Sequence, residues 1–225
     1  MEYGEDVCGL LRTLGNVWYY TKEMLPLALV ALGVLLLCRG WRKRRLADRG
    51  LVSSPTREIV LAVFVAFCGG LAAITFFPGG FWDLGTRLKC GWPSHQFYSW
   101  ETAMTALGHW EDIFVPFQEI RRTIHAGRYW SWFLLAGNIV MFMPIGFFPK
   151  LLWRRWSWWK SLLAGFGASV SIEFAQLFTE RSTDIDDVIL NTLGALLGWL
   201  LAFLLERLWP RGANACKVRE VSAWT

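Results

Sequence analysis

Ser169, Glu173 and Gln176 recur at i, i+4 and i+7. Asp184, Asp187, Asn191, Gly194 and Gly198 recur at i, i+3, i+7, i+10 and i+14, so each set occupies one stripe of a helix. The rest of both stretches is apolar. An ionised carboxylate facing hydrocarbon is costly, so both stripes are expected to turn inward, toward each other or toward water. Three kinds of chemistry suit such a set. Glu173 or Asp187 could serve as general acid or base, with Arg181 holding a phosphate. The oxygens of Glu173, Gln176, Asp184, Asp187 and Asn191 suit Ca²⁺ or Mg²⁺ rather than zinc, although an ion pair of Arg181 with Asp184 or Asp187 would neutralise the set without any metal. Asn138, Glu173, Gln176, Arg181, Asp184, Asp187 and Asn191 could also bind a polar ligand without reacting with it. No Ser, Cys or His stands at the spacing of an activated nucleophile, which favours binding over catalysis. No cofactor is expected. Capping by Thr183 or Asp184 accounts for the aspartates one by one, but not for Glu173 or Asn191.

The elements that position these residues are membrane helices. At 54% hydrophobic and 16% aromatic, with a mean hydropathy of +0.33, the chain is too apolar for an ordinary soluble domain. Five apolar windows approach the roughly 20 residues that a helix needs to cross a bilayer: Tyr19 to Cys38, Ile59 to Phe77, Ser131 to Phe148, Trp158 to Phe178 and Val188 to Leu205. The expected fold is all-α, a polytopic transmembrane bundle of about five helices. It divides into an N-terminal helix and basic loop (1–58), a membrane domain (59–205) and a basic tail (206–225). Small residues at Gly194 and Gly198, and at Gly69 and Gly70, allow close helix contacts. Pro26 can sit in the first turn of the regular part of the first helix, and Pro144 should kink the third.

Of 23 lysines and arginines, 15 fall in the segments 39–58, 149–160 and 206–225. The positive-inside rule makes those segments cytoplasmic, which puts the N-terminus outside and the C-terminus inside. The net charge of +5 calls for anionic membrane lipids as partners, not nucleic acid. Glu2, Glu5 and Asp6 precede the first apolar run where a secretory signal carries positive charge, so that run is expected to be retained as a helix.

Residues 78–130 form an external segment too long for a simple connector, and structure of its own is expected there. Its Trp82, Trp92, Tyr98, Trp100, Trp110, Tyr129 and Trp130 suit a membrane interface. Phe117, Ile120 and Ile124 line one helical face, as in a helix lying on the outer surface. Arg121, Arg122 and His125 on its other side suit either a phosphate-bearing head group or plain solvation. Cys8 and Cys90 fall on the same side and could pair, while His95, His109 and His125 show no zinc spacing. Asn138 lies roughly 10 Å below the outer end of its helix and Glu173 roughly 8 Å below its own, at 1.5 Å per residue. With Asn191 similarly shallow, these residues share a level in the outer leaflet, open between the third, fourth and fifth helices.

Glu173-Phe174-Ala175-Gln176, then Arg181, then Asp184-Ile185-Asp186-Asp187 followed by Asn191 and Gly194, resembles the signature of the VanZ-like membrane proteins. Gly137-Asn138 through Met143-Pro144-Ile145-Gly146 is similar to the same pattern, and so is Val115-Pro116-Phe117, although Ile113 stands where the family usually has Asn. The resemblance covers about Ile59 to Leu205. It implies a bacterial plasma-membrane protein associated with resistance to glycopeptide antibiotics of the teicoplanin type, and it implies no reaction. Two readings stay open. One is a binding protein for a lipoglycopeptide, a lipid-linked cell-wall precursor or a partner; the other is a membrane-embedded enzyme acting on a lipid-linked or phosphate-containing substrate.

The charge distribution yields a topology test. A cysteine probe at Ser182 should label from outside intact cells and one at Ser157 should not; the reverse pattern would invert every loop.

Overall fold

Backbone N–H and C=O groups in hydrocarbon must be satisfied within the chain, and for runs of this length the helix does that. The computed structural model describes residues 2–77, 81, 99–108, 115–126, 129–178 and 184–220. In order these form α1 (Glu2–Leu37), α2 (Arg39–Ala47), β1 (Leu51–Val52), α3 (Pro55–Phe76), α4 (Trp100–Gly108), α5 (Gln118–Ala126), α6 (Tyr129–Leu152), α7 (Trp158–Gln176), α8 (Ile185–Leu208), α9 (Pro210–Ala215) and β2 (Arg219–Glu220). Among the described residues, four segments are long and apolar enough to cross a membrane: Trp18–Leu37, Pro55–Phe76, Leu135–Leu152 and Ile185–Leu208. The remaining apolar window forms α7, a helix of 19 residues that falls outside this group because serines, glycines and Glu173 dilute it. The protein is thus a mostly helical, multi-pass membrane protein with four to five spans.

The first helix is longer than its apolar window suggests. It runs unbroken from Glu2, so Pro26 lies in its interior, not in its first turn. The external segment does contain structure, in α4 and α5. Cys38, Cys68 and Cys216 are free, and burial pushes the Cys216 thiol up from its ordinary range. The proposed partner of Cys8, Cys90, lies outside the described residues, as do His95 and His109 and the interfacial Trp82, Trp92, Tyr98 and Trp110.

Burial runs opposite to that of a soluble bundle. On α7 the inward stripe is Ser161, Gly165, Ser169, Ile172, Glu173 and Gln176, while Leu163, Phe166, Val170 and Phe174 face out. On α8 the inward residues include Asp186, Asn191, Gly194, Ala195, Gly198 and Ala202, and Leu193, Leu197, Leu200, Leu201 and Leu204 are exposed. Lipid tails solvate leucine as well as another helix would, so large apolar residues gain nothing by moving inward and small or polar ones decide the contact.

The tightest contact joins α6 and α8. A Cβ on Gly194 would run into the Ile139 carbonyl oxygen, one on Gly198 into that of Met143, and one on Gly146 into that of Ala195. The paired positions advance together, so α6 and α8 run parallel, and α7 returns the chain between them. Leu71, Phe142, Ile145, Ile172 and Ala195 form the apolar core where α3, α6, α7 and α8 meet. The α1–α3 pair closes through Gly69, where an added Cβ would lie 2.8 Å from the Leu27 carbonyl oxygen.

The opposite end of the bundle is tied by charge. Glu206 lies 2.8 Å from Lys150 and 2.6 Å from Lys217, and Arg42 lies 2.6 Å from Glu58. The tail folds back, with Leu51 paired to Glu220 and Val52 to Arg219.

Overpacking a close helix contact costs about 1–3 kcal/mol or more. Gly194→Leu should therefore lower the melting temperature and the folded yield, whereas Gly167→Leu, at a glycine with nothing within 4 Å, should be tolerated. Equal melting curves for the two variants would refute the close-packing role of Gly194.

Candidate functional site

The site is built where the C-terminal end of α7 meets the N-terminal end of α8. The inward stripe of α7 delivers Ser169 at 0%, Glu173 at 7% and Gln176 at 9% exposure. The Glu173 carboxylate accepts the backbone N–H of Asp184 at 3.1 Å, pinning the start of α8 to the last turns of α7. Asp184 in turn caps α8 by accepting the N–H of Asp186 at 2.9 Å. One level deeper, the Asn191 amide donates to Ser169 Oγ at 2.8 Å. The other Asn191 side-chain atom, Oδ1, is buried and has no hydrogen-bond partner among the described residues.

Helix α6 joins through Asn138, whose amide donates to Asp187 at 2.5 Å. Asn138, Ser169, Glu173, Asp184, Asp187 and Asn191 are therefore drawn into one polar cluster at one end of three adjoining helices. Gln176 is buried on the same stripe of α7. Arg181 lies outside the described residues, together with the rest of 179–183, so its expected pairing with Asp184 or Asp187 does too. Gly194 and Gly198 continue the α8 face below the cluster, against the α6 backbone.

Asp186 has the most constrained environment here. It is 0% exposed, and its two carboxylate oxygens accept the backbone N–H groups of Phe117 and Ile120. Those donors sit at the N-terminal end of α5, where free amides and the helix dipole favour a negative charge. Phe117 has φ +65, a conformation uncommon for a bulky residue, and its contact with Asp186 fixes it there. Asp186 thus clamps α5 over the start of α8. In the sequence Asp186 stands off the polar stripe of α8 and shows only as one of three clustered aspartates. Its signal was the surplus of aspartates: one suffices to cap α8, and a second is free to cap another helix. Glu23, on α1 within the candidate span, is 6% exposed and is another buried acid, one that lies on neither polar stripe.

On α5 the buried side chain is Thr123, at 5%, with Ile120 half-buried. Phe117 and Ile124, expected on the apolar face of a helix lying on the outer surface, are 49% and 55% exposed, which leaves them open to lipid. Arg121, Arg122 and His125 are exposed. Helix α4 docks on the end of α7, the Ser99 N–H donating to the Phe178 carbonyl at 2.8 Å, with Trp100 against Phe178.

A model of the VanZ/LLP1 family matches residues 88–206, just over half of the chain. The chain belongs to the VanZ/LLP1 family. No curated protein and no solved structure matches it. The VanZ/LLP1 segment contains α4 to α8 up to Glu206 and so holds every residue of the polar cluster. Within it, Asp187 faces an amide, while Glu173, Asp184 and Asp186 hold backbone N–H groups. Among the described residues no three His, Cys, Asp or Glu side chains gather in a way that could hold a metal ion.

Removing an ionised acceptor from two buried N–H groups costs about 1.5–3 kcal/mol. Asp186→Asn should therefore release α5: hydrogen exchange at 117–126 should speed up while α7 and α8 keep their protection. Unchanged exchange across α5 would show that the clamp does not hold it.

Proposed function

We propose that this VanZ/LLP1-family protein protects a bacterial cell from glycopeptide antibiotics of the teicoplanin type. It does so by binding rather than by catalysis, engaging a lipoglycopeptide, a lipid-linked cell-wall precursor or a partner protein at the polar end of α6, α7 and α8. The protein sits in the plasma membrane with that end outside and the basic end in the cytoplasm, in keeping with the 15 basic residues placed there. The single observation that carries the reading is the Glu173–Asp184–Asp187–Asn138–Asn191 cluster, buried at Glu173 and Asn191 and half-buried at the other three. Packing alone does not call for five polar groups in a membrane bundle, and such groups mark ligand or ion sites by default.

Binding is favoured over an enzyme because Glu173 and Asp187 are engaged as hydrogen-bond acceptors. Helix α5 adds exposed Arg121, Arg122 and His125 beside the cluster, an apolar and cationic surface suited to a lipid-anchored anion. Turnover of a labelled undecaprenyl-linked precursor by the purified protein in lipid would replace binding with catalysis, with Glu173 or Asp187 as acid or base.

The test lies at Glu173. Glu173→Gln keeps the shape and removes the charge, and Glu173→Ala removes both. Both variants should reach the membrane and lose teicoplanin protection, seen as a minimum inhibitory concentration that falls to that of cells without the protein. If Gln protects like the parent and Ala lowers only the folded yield, Glu173 is a helix fastener. A well-expressed, fully protective Ala variant would refute the site.

A further inference from the structure

At the end of the bundle opposite Asp186, a cavity of about 540 Å³ is lined by Arg154, Arg211, Asn214, Ala215, Lys217 and Arg219. Four of these six residues are cationic and none is acidic. The carboxylate that pairs with Lys217, Glu206, is shared with Lys150. Arg154, Arg211 and Arg219 are exposed, and none of them forms an ion pair with a described carboxylate.

These cations do not sit on loose chain ends. Lys217 is buried, at 8% exposure. Ser54 Oγ donates to the Ala215 carbonyl at 2.6 Å, and the pairing of Val52 with Arg219 fixes the position of that arginine. Ala213 and Cys216 are buried against Leu151 and Ala202, which anchors α9. Arg154 follows Leu152, which is 0% exposed, on the link between α6 and α7. Two separate stretches of chain, the α6–α7 link and the segment 211–219, are thus locked so that like charges converge on one space. Such convergence is unfavourable until an anion occupies it. Basic residues that serve only to orient the chain do not need this arrangement, and Lys43 and Arg44 on the exposed face of α2 show the scattered alternative. Exposed Trp153, Trp158, Trp159 and Trp209 at the same helix ends mark the depth of lipid head groups.

We propose that this cavity binds a phosphate group, carried by an anionic phospholipid head group or free in solution. Arg211, Arg219 and Arg154 supply forked donors, Asn214 a neutral one, and Lys217 a fixed point charge. The site is separate from the polar cluster and does not depend on its reading.

The test titrates short-chain phosphatidylglycerol, short-chain phosphatidylcholine and inorganic phosphate against the full chain in neutral detergent, with binding read by native mass spectrometry. Phosphatidylglycerol or inorganic phosphate should bind and phosphatidylcholine should not. The double variant Arg211→Gln/Arg219→Gln should weaken that binding roughly tenfold or more, while Lys43→Gln/Arg44→Gln, equal in charge lost, should leave it unchanged. Binding of phosphatidylglycerol that inorganic phosphate does not displace assigns the lipid; binding of inorganic phosphate with no gain from the lipid assigns the free anion. If the double variant proves unstable, Arg154→Gln on its separate link reads the same loss. Binding that persists in the Arg211/Arg219 and Arg154 variants, or that falls equally in the Lys43/Arg44 control, would overturn the site.

Discussion

A carboxylate with no solvent exposure, inside a chain that is otherwise solvated by lipid, has to be matched by donors or it unfolds its surroundings. Asp186 meets that requirement with two backbone amides from α5, and this one pairing fixes much of the polar end. It sets where α5 begins, how it is rotated and why Phe117 occupies a left-handed conformation. Because Asp186 is itself in the first turn of α8, the clamp joins two helix N-termini through a single anion. Glu173 and Asp184 extend the same device, each using a carboxylate to hold a backbone N–H.

Below that layer the bundle is held by closeness. Polar and small residues fill the interior of α7 and α8, and leucine and phenylalanine face outward, as expected where lipid competes with every apolar contact. The glycines of α6 and α8 bring each helix against the carbonyl oxygens of the other. This proximity lets a side chain as short as Asn138 reach Asp187, and the close approach of Gly165 on α7 to Ala195 on α8 lets Asn191 reach Ser169.

The two ends of α8 solve opposite electrostatic problems. Acids in its first turn agree with the helix dipole, so Asp184, Asp186 and Asp187 are well placed there. Glu206 in its last turns opposes the dipole, and Lys150 and Lys217 offset it from two sides. The ion pair with Lys217 also draws the C-terminal segment back onto the bundle, where it becomes a wall of the cationic cavity.

The sequence by itself determined the helical, membrane-spanning class, the family, and the facing of Ser169, Glu173, Gln176 and Asn191 toward the interior. These follow from periodicity and from the cost of polar groups in hydrocarbon, both of which are local properties of the chain. It also pointed to structure in the external segment and to an amphipathic helix near Phe117. Tertiary structure alone decided that Asp186 caps α5, that Thr123 of α5 turns inward, and that Glu23 is buried. It alone folded the basic tail against Ser54 and Val52. In each of these cases the partner is far away in the chain. A spacing pattern records which face of a helix a residue occupies, but not which distant amide or carboxylate that face will meet.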